Sequence, residues 1–460
     1  MAWPWPLSLI TRTTAAPVRQ RSFDAATGDR RGKGMGMFGP INGEVGAGLE
    51  LTRRRARYLE ANNPWCTNGV SVWCSHLTGS GIRPTAKTNS IDERQIVSAE
   101  FETWADDPAN FGGMANFWGL QEQVARHLVR DGEALAAIEM SLNGFGIRLI
   151  APDQLDQAKT ANLGDGRLIV QGVEFDARGN RVAYWIFPDA PHSEFTQFAV
   201  SERYAATDIL HIFKPMSAGQ VRGVSWLAPV VLTTHELDQL SDALLVGAKT
   251  SAMLAGFLTD INNTSTETVF DFDDEGAVSL EPGTIQALPA GVDIKFSAPD
   301  AAKDAPAFVR LNLQAIAAGM GLPEHLLSGD LTNANYSSIR AGLLPFRQRV
   351  EQVQYHTLVP QFLLPIWRRW LAFQITSGRM DISADLDVEW IMPRHLQVDP
   401  SKDVDAVTKM LDAGLMSRTQ AVAELGWSID DLDAEIAQDR EREARLGLNF
   451  NQSEGAPNAA

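Results

Sequence analysis

The sequence predicts an α+β protein, and three observations predict it. Phe308, Leu311, Ala315 and Ile316 recur at helical spacing before Gly319, Gly321 and Pro323, which stop a helix because glycine tolerates the left-handed cap and proline cannot continue the ladder. A longer apolar helical pattern runs from Leu343 to Phe373. Between Glu133 and Phe213 the pattern shortens to a series of strands.

Taken in order, residues 1–48 carry Pro, Gly and Arg without periodicity and are expected to form a flexible arm. Arg12, Arg19, Arg21, Arg30, Arg31 and Lys33 outnumber Asp24 and Asp29, so the arm is locally basic. The run Arg53, Arg54, Arg55 and Arg57 sits on the next helix, where a solvated or inter-subunit salt-bridging face is favoured over DNA contact. Asn63-Pro64 opens another helix, packed through Trp65, Val72, Trp73 and Leu77 and ended by Gly79. Ala134–Met140 and Phe145–Ile150 flank Asn143-Gly144, a hairpin turn. Arg167–Phe175, Arg181–Phe187 and Asp208–Phe213 add strands.

Pro229 to Leu258 reads as a helix with a ridge of small residues, Ala243, Gly247, Ser251 and Ala255, four apart. Such a ridge lets another helix approach closely, from a neighbouring subunit or from the same one. Asp260 to Gly276 is acidic and has no basic residue; strand-like pieces follow between Leu280 and Phe296. Ser328 to Ser338 is polar and rich in Asn and Ser, as a mobile loop is. The helix from Ala341 to Thr376 holds Pro345, Pro360 and Pro365, each of which removes a donor and crowds the preceding turn, so kinks are expected. Trp367 and Trp370 are expected to anchor it in the core. Asp399-Pro400 opens a helix that Gly414 ends, Ser417 with Gln420 forms a capping box, and Ile429–Leu446 is a charged, exposed helix.

Composition narrows the function. With 460 residues, 44% hydrophobic and 21% charged, the chain has core material for two or three domains. Its richest apolar runs are too short for a membrane span and are broken by Lys249 or by Pro360 and Pro365. The start, MAWPWPLSLI, has no basic leader and too many prolines for a signal peptide, so residence in the cytoplasm where the chain is made is expected. Cys66 and Cys74 fit neither a metal hairpin nor a CxxC motif and read as buried thiols. A net charge of −17 disfavours a protein that grips phosphates, although it permits one that lets DNA pass. No metal site, cofactor or catalytic residue is proposed: Gly28–Lys33 lacks the spacing of a phosphate loop, Gly247–Thr250 sits mid-helix, and Asp381, Asp385 and Asp387 do not follow a calcium loop.

The stretch Gly319–Gly342, GMGLPEHLLSGDLTNANYSSIRAG, resembles the stem helix, tunnel loop and wing helix of tailed-bacteriophage portal proteins of the lambda family. The resemblance extends, in family order, through RRARYLEANNPWCTNGVSVWCSHLTGSGIRP (Arg54–Pro84), Asp131-Gly132-Glu133, RGVSWLAP (Arg222–Pro229), AMLAGFLTD (Ala252–Asp260) and LEPGTIQALPAGVDIKF (Leu280–Phe296). It implies a flexible arm at 1–48, a mixed α/β wing at 49–228 and a stem helix at 229–259. A small α/β clip at 260–300, a second stem helix at 301–322 and a tunnel loop at 323–340 would follow. The chain would end with a kinked wing helix and return strand at 341–398, crown-like helices at 399–446 and a disordered tail at 447–460.

By the same resemblance the protein would be a capsid-vertex ring of about twelve subunits that passes double-stranded DNA without reading its sequence. Its partners would be the terminase large subunit, capsid and scaffold proteins, and head-completion or tail-adaptor proteins. Ser328, Asp330, Thr332, Asn333, Asn335, Tyr336, Ser337 and Arg340 would form the loop facing DNA, with Arg310 at its other side. Tyr336 is either a hinge or stacking group or packing for the next helix, and the two arginines either touch phosphate or pair with a neighbour. Asp271, Asp273, Asp274 and Glu275 would form the clip surface for terminase and adaptor, or a merely solvated loop. The rival reading is another virion structural protein, such as a capsid-shell or tail-adaptor component, without a DNA channel.

Overall fold

The computed structural model describes residues 38–113, 115–141, 144–188, 200–253, 256–259, 285–288, 301–332, 335–383, 385–394 and 400–448. Four helices and one strand come first: α1 (Ile41–Asn62), α2 (Pro64–Thr78), β1 (Arg83–Lys87), α3 (Ile91–Asp106) and α4 (Phe117–Arg130). Asn63 caps α2 through its side-chain oxygen, which accepts from the Cys66 amide, and Gly79 ends it at φ +48°. Strands β2 (Glu133–Ser141), β3 (Gly144–Ile150), β4 (Ala161–Gly164), β5 (Arg167–Val170), β6 (Val173–Phe175), β7 (Arg181–Ile186), β8 (Glu202–Ala205) and β9 (Ile209–Phe213) follow. Next come α5 (Val231–Met253), β10 (Gly256–Thr259), β11 (Ile285–Leu288), α6 (Ala301–Met320) and α7 (Glu324–Ser328). The last elements are α8 (Tyr336–Val353), a π segment (Gln354–Leu363), α9 (Leu364–Thr376), β12 (Asp387–Ile391), α10 (Pro400–Asp412), α11 (Arg418–Glu424) and α12 (Ile429–Leu446).

The fold is thus α+β, with small sheets held among helices. Strands order as β3-β2-β9 in one sheet and β4-β5-β6-β7-β8 in another, both antiparallel; β1 pairs antiparallel with β12, and β10 parallel with β11. Alternation along β2 sorts its side chains between two cores. Ala134, Ala136 and Ile138 face the helices, while Leu135 and Ala137 face the five-stranded sheet beside Ile150, Val173, Tyr184, Ile186 and Ile209. The larger core gathers aromatic rings from α3, α4, β3, the π segment and α9. Phe101 meets Trp104, Phe117, Trp367 and Trp370 at centroid distances of 5.0–5.8 Å. Trp367 and Trp370 are fully buried, as expected from the sequence.

Two expectations about element boundaries change. The helix from Pro229 is shorter than its apolar pattern, ending at Met253, because Gly256–Thr259 is extended and pairs with Ile285–Leu288. The long helix starts earlier, and α8, the π segment and α9 form one continuous helical run from 336 to 376. The π segment surrounds Pro360, which has no N–H and crowds the turn before it; widening the turn relieves both defects. The same segment buries Gln354, whose Nε2 donates to the Leu77 carbonyl at 2.8 Å, and aims Gln361, whose Oε1 accepts from the Phe213 amide at 2.9 Å.

Candidate functional site

The polar insert is a short exposed loop on a fixed base. Helix α6 ends in a Schellman arrangement: the Leu322 amide donates to the Ala317 carbonyl and the Gly321 amide to Ala318, with Gly321 at φ +76°. Gly319, read from sequence as a second stop signal, lies inside the helix instead. A Cβ there would meet Val230 Cγ1 at 2.3 Å, so the glycine is required by close packing. Trp73 Nε1 donates to the Met320 carbonyl, and Asn68 Nδ2 donates to the carbonyls of Leu326 and Leu327, so α2 caps both α6 and α7. Leu327 is buried.

Beyond that base the chain emerges. Ser328 Oγ bonds Glu324 and accepts from the Asp330 amide. Asp330 in turn accepts from the amide and hydroxyl of Thr332; these bonds, aided by the charge of Arg310, hold its carboxyl below the usual range. Leu331 and Thr332 are exposed, and Asn333 lies outside the described residues. Asn335 is the N-cap of α8: its side-chain oxygen accepts from the Ser338 amide, and Ser338 Oγ accepts from the Asn335 amide. This reciprocal cap starts the helix at Tyr336, five residues before the position read from sequence. Ser337 is exposed in its first turn, and Arg340 pairs within the chain with Asp403 of α10 at 3.6 Å. Sequence reasoning missed that partner, because α10 is distant in the chain.

The helices before the loop present an uncovered apolar face. On α5, Leu232, Leu245 and Val246 are more than half exposed, and so are Phe308 and Leu311 on α6. Exposed positions of α6 from Pro306 to Ala318 (Ala307, Phe308, Leu311, Gln314, Ala315) carry no charge. Ala243 and Gly247 of the small-residue ridge are exposed, and a Cβ on Gly247 would meet nothing within 4 Å. The side chain of Ser251 and all of Ala255 lie outside the described residues, as do Asp271, Asp273, Asp274, Glu275 and the basic arm up to residue 37.

A buried ionic hub fixes the sheets to α1 and involves two stretches singled out in the sequence, Asp131-Gly132-Glu133 and the segment beginning at Arg222. Glu133 is fully buried and accepts from Arg53 Nη2 at 2.7 Å, Arg222 Nη2 at 2.5 Å, His211 Nε2 at 3.0 Å and the Gly223 amide at 2.8 Å. Burial alone would raise this carboxyl; the Arg222 charge, the His211 bond and the Arg53 charge outweigh it and hold Glu133 well below 4.5. Burial likewise lowers His211, which stays neutral despite its carboxylate partner. Asp131 accepts from His127, Arg130 and Arg57, and Asp153 binds both Arg53 and Arg57. The arginine run is therefore not one solvated face but divides between the hub and the surface, where Arg54 and Arg55 are exposed. Arg53 and Arg57 point inward to the hub, and of the outward pair Arg54 bonds Glu50 in its own helix.

The chain matches the family model for phage portal protein, lambda family, over residues 29–354. It is 21% identical over 465 residues to the portal protein of Escherichia phage N15, covering 86% of this chain and 84% of that protein. With portal protein B of Escherichia phage lambda the identity is 23% over 482 residues, covering 89% and 88%. Among solved structures, a chain from the neck of an empty gene transfer agent particle, computed with C6 symmetry, is similar over 91% of this chain and 97% of that chain, at 15% identity and a TM-score of 0.43.

Proposed function

The chain belongs to the lambda family of phage portal proteins, and from that premise we propose that it closes into a ring of about twelve subunits at one capsid vertex, around a channel for double-stranded DNA. The observation that carries the ring is the uncovered apolar face of α5 and α6, whose exposed α6 positions from 306 to 318 carry no charge. A single subunit leaves Phe308 and Leu311 in water beside the accessible ridge of Ala243 and Gly247, and a neighbouring copy in a head-to-tail contact would cover both. The action is mechanical and involves no catalytic residue. DNA passes, held off by an acidic protein of net charge −17, while the exposed tip around Leu331 and Thr332 meets it through groups too weakly charged to trap it.

Within this reading, terminase and later head-completion proteins dock through the acidic segment containing Asp271, Asp273, Asp274 and Glu275, and scaffold or shell proteins contact the wing and the basic arm. The subunits assemble in the host cytoplasm and end in the virion. Electron microscopy of the purified protein, viewed down the particle axis, tests the ring. Rings with an opening of roughly 20 Å or more, wide enough for a duplex, are expected; closed shells or pore-free particles would favour a capsid-shell or tail-adaptor component.

A further inference from the structure

Arg53, Arg57, Arg130 and Arg222 each meet a carboxylate in the hub. Arg181, at the start of β7, does not: among the described residues no carboxylate pairs with it. Its guanidinium lies 5.1 Å from the centroid of Phe213, 3.4 Å from Nδ1 of His211 and within hydrogen-bonding reach of Tyr184. His211 donates from Nε2 to Glu133, so its Nδ1 is an acceptor and adds no compensating charge. These contacts position a cation without neutralising it.

That cation fronts a cavity of about 610 Å³ lined by Phe213, Pro215, Met216, Ser217, Gln220 and Gln361. Both glutamine carboxamide oxygens are already used, Gln361 by the Phe213 amide and Gln220 by the amides of Met216 and Ser217. Gln220 also donates to the Arg222 carbonyl. The guanidinium is thus the charged group facing the cavity, beside the Ser217 hydroxyl and the Gln361 carboxamide, and Met216, 64% exposed, stands at the rim with Phe213 and Pro215 as apolar wall. Lys214 turns away, toward the Trp226 ring, so among the described residues the site holds one permanent positive charge. A nucleic-acid backbone needs several. One planar guanidinium beside apolar groups suits one carboxylate with an apolar neighbour.

We propose that this cavity is a docking site for an acidic peptide segment of a partner protein, an Asp or Glu carboxylate seated on Arg181 and an adjacent apolar side chain against Phe213 and Met216. None of these residues lies on α5 or α6.

Fluorescence anisotropy of the full-length protein with a labelled peptide of alternating Glu and Leu, against the same peptide with Gln for Glu, tests it. The Glu peptide is expected to bind about tenfold more tightly, the value of one charge-assisted contact. Arg181→Gln should erase that preference, Arg181→Lys should keep part of it, and Met216→Glu should fill the site from within and weaken the Glu peptide without altering the melting temperature. Arg178→Gln, on an exposed turn, should change nothing. Equal binding of the two peptides, or a preference surviving in Arg181→Gln, would overturn the proposal. Displacement of the Glu peptide by duplex DNA at lower concentrations than free glutamate would overturn it in favour of a phosphate site.

Discussion

A Cβ built on Gly223 would lie 2.1 Å from the carbonyl oxygen of Gly132, and one built on Gly132 would lie 2.1 Å from the carbonyl carbon of Val224. The two backbone segments cross with no room for a side chain on either, and this contact brings the Gly223 amide onto Glu133. Gly132 also sits at φ +87°, where L residues are strained. Gly132→Ala and Gly223→Ala should each lower stability by about 3 kcal/mol or more, read as a fall in the denaturation midpoint. A midpoint unchanged in either variant would show that the crossing relaxes freely.

Removing the Glu133 charge leaves the buried Arg222 guanidinium without a carboxylate and Arg53 with Asp153 alone. Glu133→Gln should cost about 3–5 kcal/mol, by chemical denaturation, whereas Arg54→Gln on the exposed face should cost less than about 1 kcal/mol.

The same hub sets the response to acid. His211 titrates below its ordinary 6.5 in the fold, so the unfolded chain takes up that proton first and stability begins to fall as pH drops through about 6.5. Glu133 and Asp131 are depressed from 4.5 and 3.8; their contributions are complete above those values and are lost as pH falls toward the folded values. Stability against pH should therefore decline gently below 6.5 and steeply below about 4.5. Glu133→Gln should flatten the steep limb; a wild-type profile level down to pH 3 would contradict the assignment.

On α5, Gly247→Leu should leave the isolated subunit folded, since nothing lies within 4 Å of a Cβ there. Helix propensity should raise its stability slightly, by up to about 1 kcal/mol. Rings should nevertheless fail to form, as judged by sedimentation and microscopy. Rings formed at the wild-type concentration would remove the ridge from the interface.

For the loop, deletion of 330–334 spares the Asn335 cap and should leave rings intact while impairing DNA packaging or retention in an infection assay. Normal packaging would end the proposed role for the loop. Asn335→Ala should instead cost about 1 kcal/mol by fraying the first turn of α8.

Much of the helical layout was legible because its signals are local. Asn63-Pro64, Ser417 with Gln420, and the apolar repeat before Gly321 act within a few residues of themselves. The hub was not legible. Glu133 is 80 residues from Arg53 and 89 from Arg222, and four arginines on one helix look alike until burial separates Arg53 from Arg54. The early start of α8 was missed for a different reason: Asn335 and Ser338 cap each other without the Glu or Gln that marks the usual box. The β1–β12 pair, joining Arg83 to Ile391, has no short-range signal at all.

The π segment makes the helical run from 336 to 376 sensitive to length as well as to composition. Each residue added to or taken from a helix turns everything beyond it by roughly 100°. Losing a single residue between 354 and 363 either closes a wide turn to an α turn or swings Trp367 and Trp370 away from Phe101 and takes Gln361 off the end of β9. Chemistry at individual positions of this stretch can drift, but its residue count works as a phase setting: it keeps the loop-bearing end and the aromatic end of one long rod pointing in fixed relative directions.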